Sequence, residues 1–137
     1  MRVEYSRPPM FEVIDAKFHI ANKPVLFAWG DTIYNPMKVD IPAHLMAHEV
    51  CHGMSQLKQG TVEEWWQHYI DNAAFRLAEE ILAHKVEYRT LFQLSVNRHE
   101  RRTALKITAQ RLASPLYGKL ISTKRAERVV QEKESND

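Results

Sequence analysis

From about Asp40 onward, apolar residues recur every three or four positions; before it they alternate or gather in short runs. That pattern predicts a small β element followed by a helical bundle. Residues 8–20 (PPMFEVIDAKFHI) fit both periods. Phe11, Ile14 and Phe18 make a helical stripe, while Ile14, Ala16, Phe18 and Ile20 alternate as in a strand; the helix is the preferred reading. In PVLFAWGDTIYNP, the β-prone runs Val25–Trp29 and Thr32–Tyr34 flank Gly30-Asp31, which predicts a hairpin or two strands of a small sheet. Asp40 offers an N-cap, Pro42 suits a first turn and Gly60 follows a last one, bounding a helix over about 41–58. Thr61 and Glu64 form a capping box for a short helix carrying Trp65, Trp66 and Tyr69. Asp71 or Asn72 can cap a longer one, AAFRLAEEILAHKVEYRTLF. A fourth is expected from about 98 to 113, stopping at Ser114-Pro115, and a last from near Ser122. The expected fold class is α+β and mostly helical, a single domain over 1–137 whose polar tail, 132–137, frays.

Composition narrows the class. With 137 residues, 45% hydrophobic and 26% charged, the chain is neither lean enough in apolar residues for disorder nor rich enough for a membrane protein. No apolar run approaches the roughly 18 residues of a membrane span, and the first residues lack the apolar core of a secretory signal. A cytoplasmic protein is expected, with virion association left open. One cysteine excludes an intrachain disulfide and a cysteine-based zinc cage. The net charge is +2. Its basic excess lies in Arg98, Arg101, Arg102, Lys106, Arg111, Lys119, Lys124, Arg125 and Arg128. These read as solvated helix faces, since no nucleic-acid motif accompanies them.

The candidate chemistry sits at HEVCH, residues 48–52. Residues four apart on a helix share a face, so His48 and His52 can offer two imidazoles to one ion without ordering a loop. Neutral imidazole suits zinc, and a catalytic zinc site has three protein ligands and an open position. Glu49, turned about 100° from His48, stands beside the ion, where a carboxylate can take a proton from water made acidic by the metal. Leu45, Met46, Val50 and Met54 are expected to pack the helix's other face. Cys51 points away from the histidines and reads as a small hydrophobe. His44 reads as a rim residue, and Trp65, Trp66 and Tyr69 as core. Tyr34 and Tyr88 are possible oxyanion donors but are not assigned. Ser55 and Lys58 stand where a metzincin needs glycine and histidine, which excludes that class. The third ligand is left to a later helix: Glu79, Glu80 or Glu87, with His68 and Asp71 as nearer competitors. Glu80 shares a polar stripe with Arg76, His84 and Glu87, whereas Glu79 lies among apolar residues and wants a strong partner.

HEVCH followed by EILAH (80–84) resembles the gluzincin arrangement. The wider run, with GDTIYNP before the motif and RLASPLYGKLIS near the end, is similar to small zincin-like proteins encoded by bacteriophages and their hosts. The resemblance implies Glu80 as third zinc ligand, Ala83 as the small residue that lets two helices approach, and His84 as the polar group buttressing a histidine ligand. Histidine at 84 departs from the aspartate or tyrosine of the pattern. The implied activity is zinc-dependent hydrolysis of a peptide bond, with Glu49 as general base and then general acid. A protein or peptide substrate would be held by strand addition to the hairpin edge. Two rival readings are a virion or assembly protein with a zinc site and no turnover, and a basic nucleic-acid-associated protein.

Overall fold

The β-prone runs at the start of the chain are too short to stand alone, and they join one sheet. The computed structural model describes residues 1–58 and 60–133. Strand β1 (Arg2–Glu4) is followed by helix α1 (Phe11–Phe18), then strands β2 (Phe27–Trp29) and β3 (Thr32–Tyr34). The sheet order is β1-β3-β2. β3 pairs antiparallel with β2, Ala28 opposite Ile33, and parallel with β1, Val3 opposite Ile33. The hairpin and the helical reading of residues 11–18 match the hydrophobic pattern. β1 was not foreseen, because its partner lies far along the chain and no turn announces it.

All that follows is helical: α2 (Ala43–Lys58), α3 (Val62–Asp71), α4 (Ala73–Leu94), α5 (Arg98–Leu112), a 3-10 turn (Pro115–Tyr117) and α6 (Thr123–Gln131). Side-chain caps set most of the starts. The Thr61–Glu64 capping box opens α3, and Asn72, Asn97 and Ser122 accept from backbone N–H groups to open α4, α5 and α6. Helix α2 differs from expectation. It begins at Ala43, with Pro42 in the capping place and its carbonyl accepting from Met46 N, so Asp40 is not its N-cap. Of the tail expected to fray, Glu132 and Lys133 are exposed and 134–137 lie outside the described residues.

Two apolar clusters hold the fold. Phe11, Ile14, Ile20, Phe27, Trp65, Trp66, Tyr69 and Ile70 tie α1, the sheet and α3 together. Ala109, Leu112, Ile121, Ala126 and Val130 join α5 to α6. Between them α2 and α4 bury their polar faces: His48, Glu49, His52, Gly53 and Gln56 from α2, and Arg76, Glu79, Glu80, Ala83, His84 and Glu87 from α4. This corrects the expected orientation of α2. Met54 is 55% exposed, and Leu45, Met46 and Val50 are only half-buried. Charged groups can occupy such an interface only with partners: His48, His52, Glu80 and Glu87 pair with one another, while Glu79 and Arg76 bond to neutral donors and carbonyls.

The sheet docks on α2 through two residues. Gln56, fully buried, accepts from Gly30 N at 2.7 Å and donates to Ala28 O at 3.0 Å, acting as a one-residue strand on the outer edge of β2. Trp66 Nε1 also donates to Ala28 O. At these positions the edge is therefore covered rather than open to an added strand. One turn before Gln56, a Cβ on Gly53 would collide with the Gly30 carbonyl oxygen. Glycine to alanine inside a helix ordinarily gains about 0.5–1 kcal/mol. For Gly53→Ala the sign is expected to reverse, with a loss of about 1–3 kcal/mol from overpacking. Urea denaturation reads this as a lower midpoint; a raised midpoint would contradict so close an approach.

Candidate metal centre

Helical spacing puts His48 and His52 on one face of α2, and α4 lays Glu80 across from them. His48 Nε2 lies 3.2 Å from His52 Nε2 and 3.4 Å from Glu80 Oε1, while His52 Nε2 lies 3.0 Å from Glu80 Oε2. All three residues are buried. Donors held roughly 2.0–2.1 Å from a tetrahedral ion such as zinc stand about 3.3–3.4 Å apart. The observed spacings, one to each oxygen of the Glu80 carboxylate, are close to that size. Glu80 Oε1 is moreover buried with no hydrogen-bond partner among the described residues. Two imidazole nitrogens and a carboxylate converging at this distance, one oxygen unsatisfied, fit a divalent ion. His48, His52 and Glu80 can hold one.

Neighbouring side chains hold the three in place. His48 Nδ1 donates to Glu87 Oε1 at 2.9 Å, which turns Nε2 toward His52 and Glu80. Arg111 grips the same carboxylate, its Nε 3.0 Å from Oε2 and its Nη2 3.3 Å from Oε1. Tyr69 donates from its hydroxyl to Glu80 Oε2 at 2.5 Å. A carboxylate behind a histidine ligand fixes its tautomer and raises its basicity. The resemblance assigned that buttress to His84; the hydrogen bond comes from Glu87 instead. His84 packs edge-on against His48, donates from Nδ1 to the Glu80 carbonyl at 2.7 Å, and leaves a buried Nε2 unpartnered among the described residues. His52 Nδ1 is likewise without a partner there. His48, His84 and Glu87 form a second metal-sized trio. Arg111 sits on its carboxylate, so a cation there would face a guanidinium, and the His48–His52–Glu80 side is favoured.

The remaining candidates fall elsewhere. Glu79, which wanted a strong partner, has two: Ser55 Oγ at 2.5 Å and Trp65 Nε1 at 2.7 Å. His68 stacks on Phe75 at the surface, and Asp71 bonds Gln67. Cys51 and His44 are half-buried and outside both trios. Tyr34 and Tyr88 do not reach the site. Tyr69 and Tyr117 do, and both line a cavity of about 150 Å³ with His48, Glu49 and His52. Trp65 and Trp66 line it as well, so these aromatics serve core and cavity together. Tyr117 escaped notice in the sequence because it lies in the 3-10 turn; Arg76 places it, donating to Tyr117 O at 3.0 Å and to Tyr69 O at 2.7 Å.

The electrostatics follow from burial and pairing. Burial works against charge on His48, but the adjoining carboxylates of Glu80 and Glu87 outweigh this and raise its pKa to about 10. Burial would likewise raise Glu80, yet the adjoining imidazoles of His52 and His48 hold it well below the usual carboxylate range. Glu87 is brought down to about 2 by the His48 hydrogen bond and Arg111, against burial. His84 is lowered to about 4, by burial and then by the His48 charge, and so is neutral. Burial raises Glu49, against the pull of His48 and His52. No family model matches the chain, nor does any curated protein or solved structure.

Two expectations arise. Glu87, depressed from 4.5 to about 2, contributes stability that is present above about pH 4.5 and lost as pH falls through about 2. His48, raised from 6.5 to about 10, contributes stability that is whole below 6.5 and lost as pH rises through about 10. From these groups, metal-free protein is expected to be most stable between those windows, about pH 4.5 to 6.5. An ion needs the His48 Nε2 lone pair, so loading near neutral pH is expected to release a proton. Denaturation across pH with chelator, and calorimetry in buffers of different ionisation heat, check both. Metal-free stability that climbs steadily from pH 7 to 9 would contradict the His48 pairing.

The second expectation separates adjacent glutamates. Glu80→Ala removes one of the three groups that can hold the ion, and metal affinity is expected to collapse. Glu79→Ala should keep the ion but lower stability by about 1–3 kcal/mol, because Ser55 and Trp65 lose their acceptor. Chelator competition and denaturation of both variants decide it; loss of the ion from Glu79→Ala alone would reverse the assignment.

Proposed function

We propose that the protein is a zinc-dependent peptidase of zincin-like, gluzincin type, similar to the small phage-encoded proteins its motifs resemble. The supporting observation is the convergence of His48 Nε2, His52 Nε2 and the Glu80 carboxylate, 3.0–3.4 Å apart, with Glu49 next to His48 on the cavity wall. His48, His52 and Glu80 would hold the zinc, which when bound supplies Lewis acidity toward a carbonyl and an acidified water. Glu49 then takes the water's proton on its carboxylate and returns it to the departing amine. Its burial suits this role, since a raised pKa makes a better proton acceptor near neutrality. Glu87 keeps the His48 ring turned to the site, and Tyr69 keeps Glu80 from rotating away. Trp65, Trp66 and Tyr69 give the cavity an aromatic wall beside these groups.

The rival readings have less support. A zinc-holding assembly protein has no need of a buried carboxylate beside the ligands. A nucleic-acid surface would use the basic helices, but Arg111 faces the cavity. Among the described residues, no helix is long and apolar enough to cross a membrane.

Glu49→Gln separates holding the ion from handling the proton. Glutamine has nearly the same shape but cannot accept a proton near pH 7. Zinc content is expected to stay at about one per chain, while hydrolysis of a substrate found by peptide-library screening falls about 10²–10⁴-fold or more. Undiminished cleavage at equal zinc occupancy would refute the mechanism.

A further inference from the structure

Two arginines approach the centre, and their donors are used differently. Arg76 is 4% exposed, and its guanidinium donates to the carbonyls of Tyr69, Ile70 and Tyr117. It holds the fold. The Arg111 side chain is 40% exposed and binds Glu87 through Nε and Nη2, leaving Nη1 outside that pairing. Among the described residues, Arg111 is the one lysine or arginine lining the cavity. It stands one carboxylate away from His48, since Glu87 Oε1 accepts from both. The rest of the wall is largely apolar, with Ile14, Phe18, Phe27, Trp66 and Leu116 prominent. Beside the polar corner of His48, Glu49, His52, Glu80 and Arg111, this cavity of about 150 Å³ has room for a benzene-sized group.

We propose that Arg111 recognises the free C-terminal carboxylate of the substrate, and that the cavity takes its apolar, benzene-sized terminal side chain. On the peptidase reading, on which this rests, the enzyme acts at the end of a short peptide rather than inside an extended one. Two observations support that choice. The β2 edge is covered by Gln56 at Ala28 and Gly30, which leaves little strand for a long substrate to pair with. A planar guanidinium already aligned by Glu87 is preorganised for a second carboxylate, which it can meet with charge-assisted hydrogen bonds. Glu87 thus orients a metal ligand on one side and the recognition group on the other.

The test uses binding first, because binding does not depend on turnover. Trp65 and Trp66 line the cavity, so tryptophan fluorescence reports occupancy. Metal-free and zinc-loaded protein are titrated with 3-phenylpropionate and with 3-phenylpropionamide, which differ only in charge at one end. The acid is expected to bind about tenfold tighter or more in both forms. Arg111→Gln should abolish the preference, and Arg111→Lys should keep part of it. Equal affinity for acid and amide in the unaltered metal-free protein overturns the proposal even where the variants fail to fold. So does a preference that survives Arg111→Gln. Activity then separates the two claims. Acid preference without hydrolysis of any peptide supports the Arg111 site and removes the peptidase reading. Hydrolysis of C-terminally amidated peptides as fast as of free acids removes the Arg111 inference and leaves the peptidase reading intact.

Discussion

The hydrogen bond from His48 Nδ1 to Glu87 Oε1 joins α2 to α4 where both helices turn polar residues inward. An unpaired charge at such a place costs several kcal/mol, and a helix interface would ordinarily avoid it. Here most of the buried carboxylates have partners. Glu87 is shared by His48 and Arg111, Glu80 faces both histidines of α2, and Glu79 is satisfied by Ser55 and Trp65. If that pairing failed, α2 would have reason to rotate and bury Leu45 and Met54 instead. The orientation of the motif helix is therefore an electrostatic choice more than an apolar one.

This has a consequence for how function and stability are divided. The two apolar clusters flank the polar interface and can hold the chain together while the interface answers to chemistry. Unsatisfied atoms collect there: His52 Nδ1, Glu80 Oε1 and His84 Nε2 are all buried without partners among the described residues. Buried polar atoms left unpaired are rare in folded proteins and concentrate where structure serves a ligand. Glu80 Oε1 has such an explanation in the ion its neighbours can hold.

Close approach is the second constraint. Gly53 and Gln56 let the hairpin sit against α2, and that contact sets one wall of the cavity. Arg76, by binding three carbonyls, sets another part of the wall through Tyr69 and the turn carrying Tyr117. A polar residue in each case does the work that apolar packing does elsewhere in the molecule.

The local physics was legible in the chain. Capping residues announced α3, α4 and α6, Gly30-Asp31 announced the hairpin, and i, i+4 spacing put His48 and His52 on one face, because all of these are decided within a few residues. What lies between distant elements was not legible. Strand β1 needs a partner some thirty residues away, and Glu79 and Glu80 differ by one helical step whose meaning depends on where Ser55 and Trp65 stand. Arg111 looked like one more basic residue on a solvated face, and Glu87 like one of several acids. Only the packing of α5 against α4, and of α4 against α2, put Arg111 on Glu87 and Glu87 on His48. Spacing along a helix is a property of the sequence, but which buried charge meets which is a property of three helices at once.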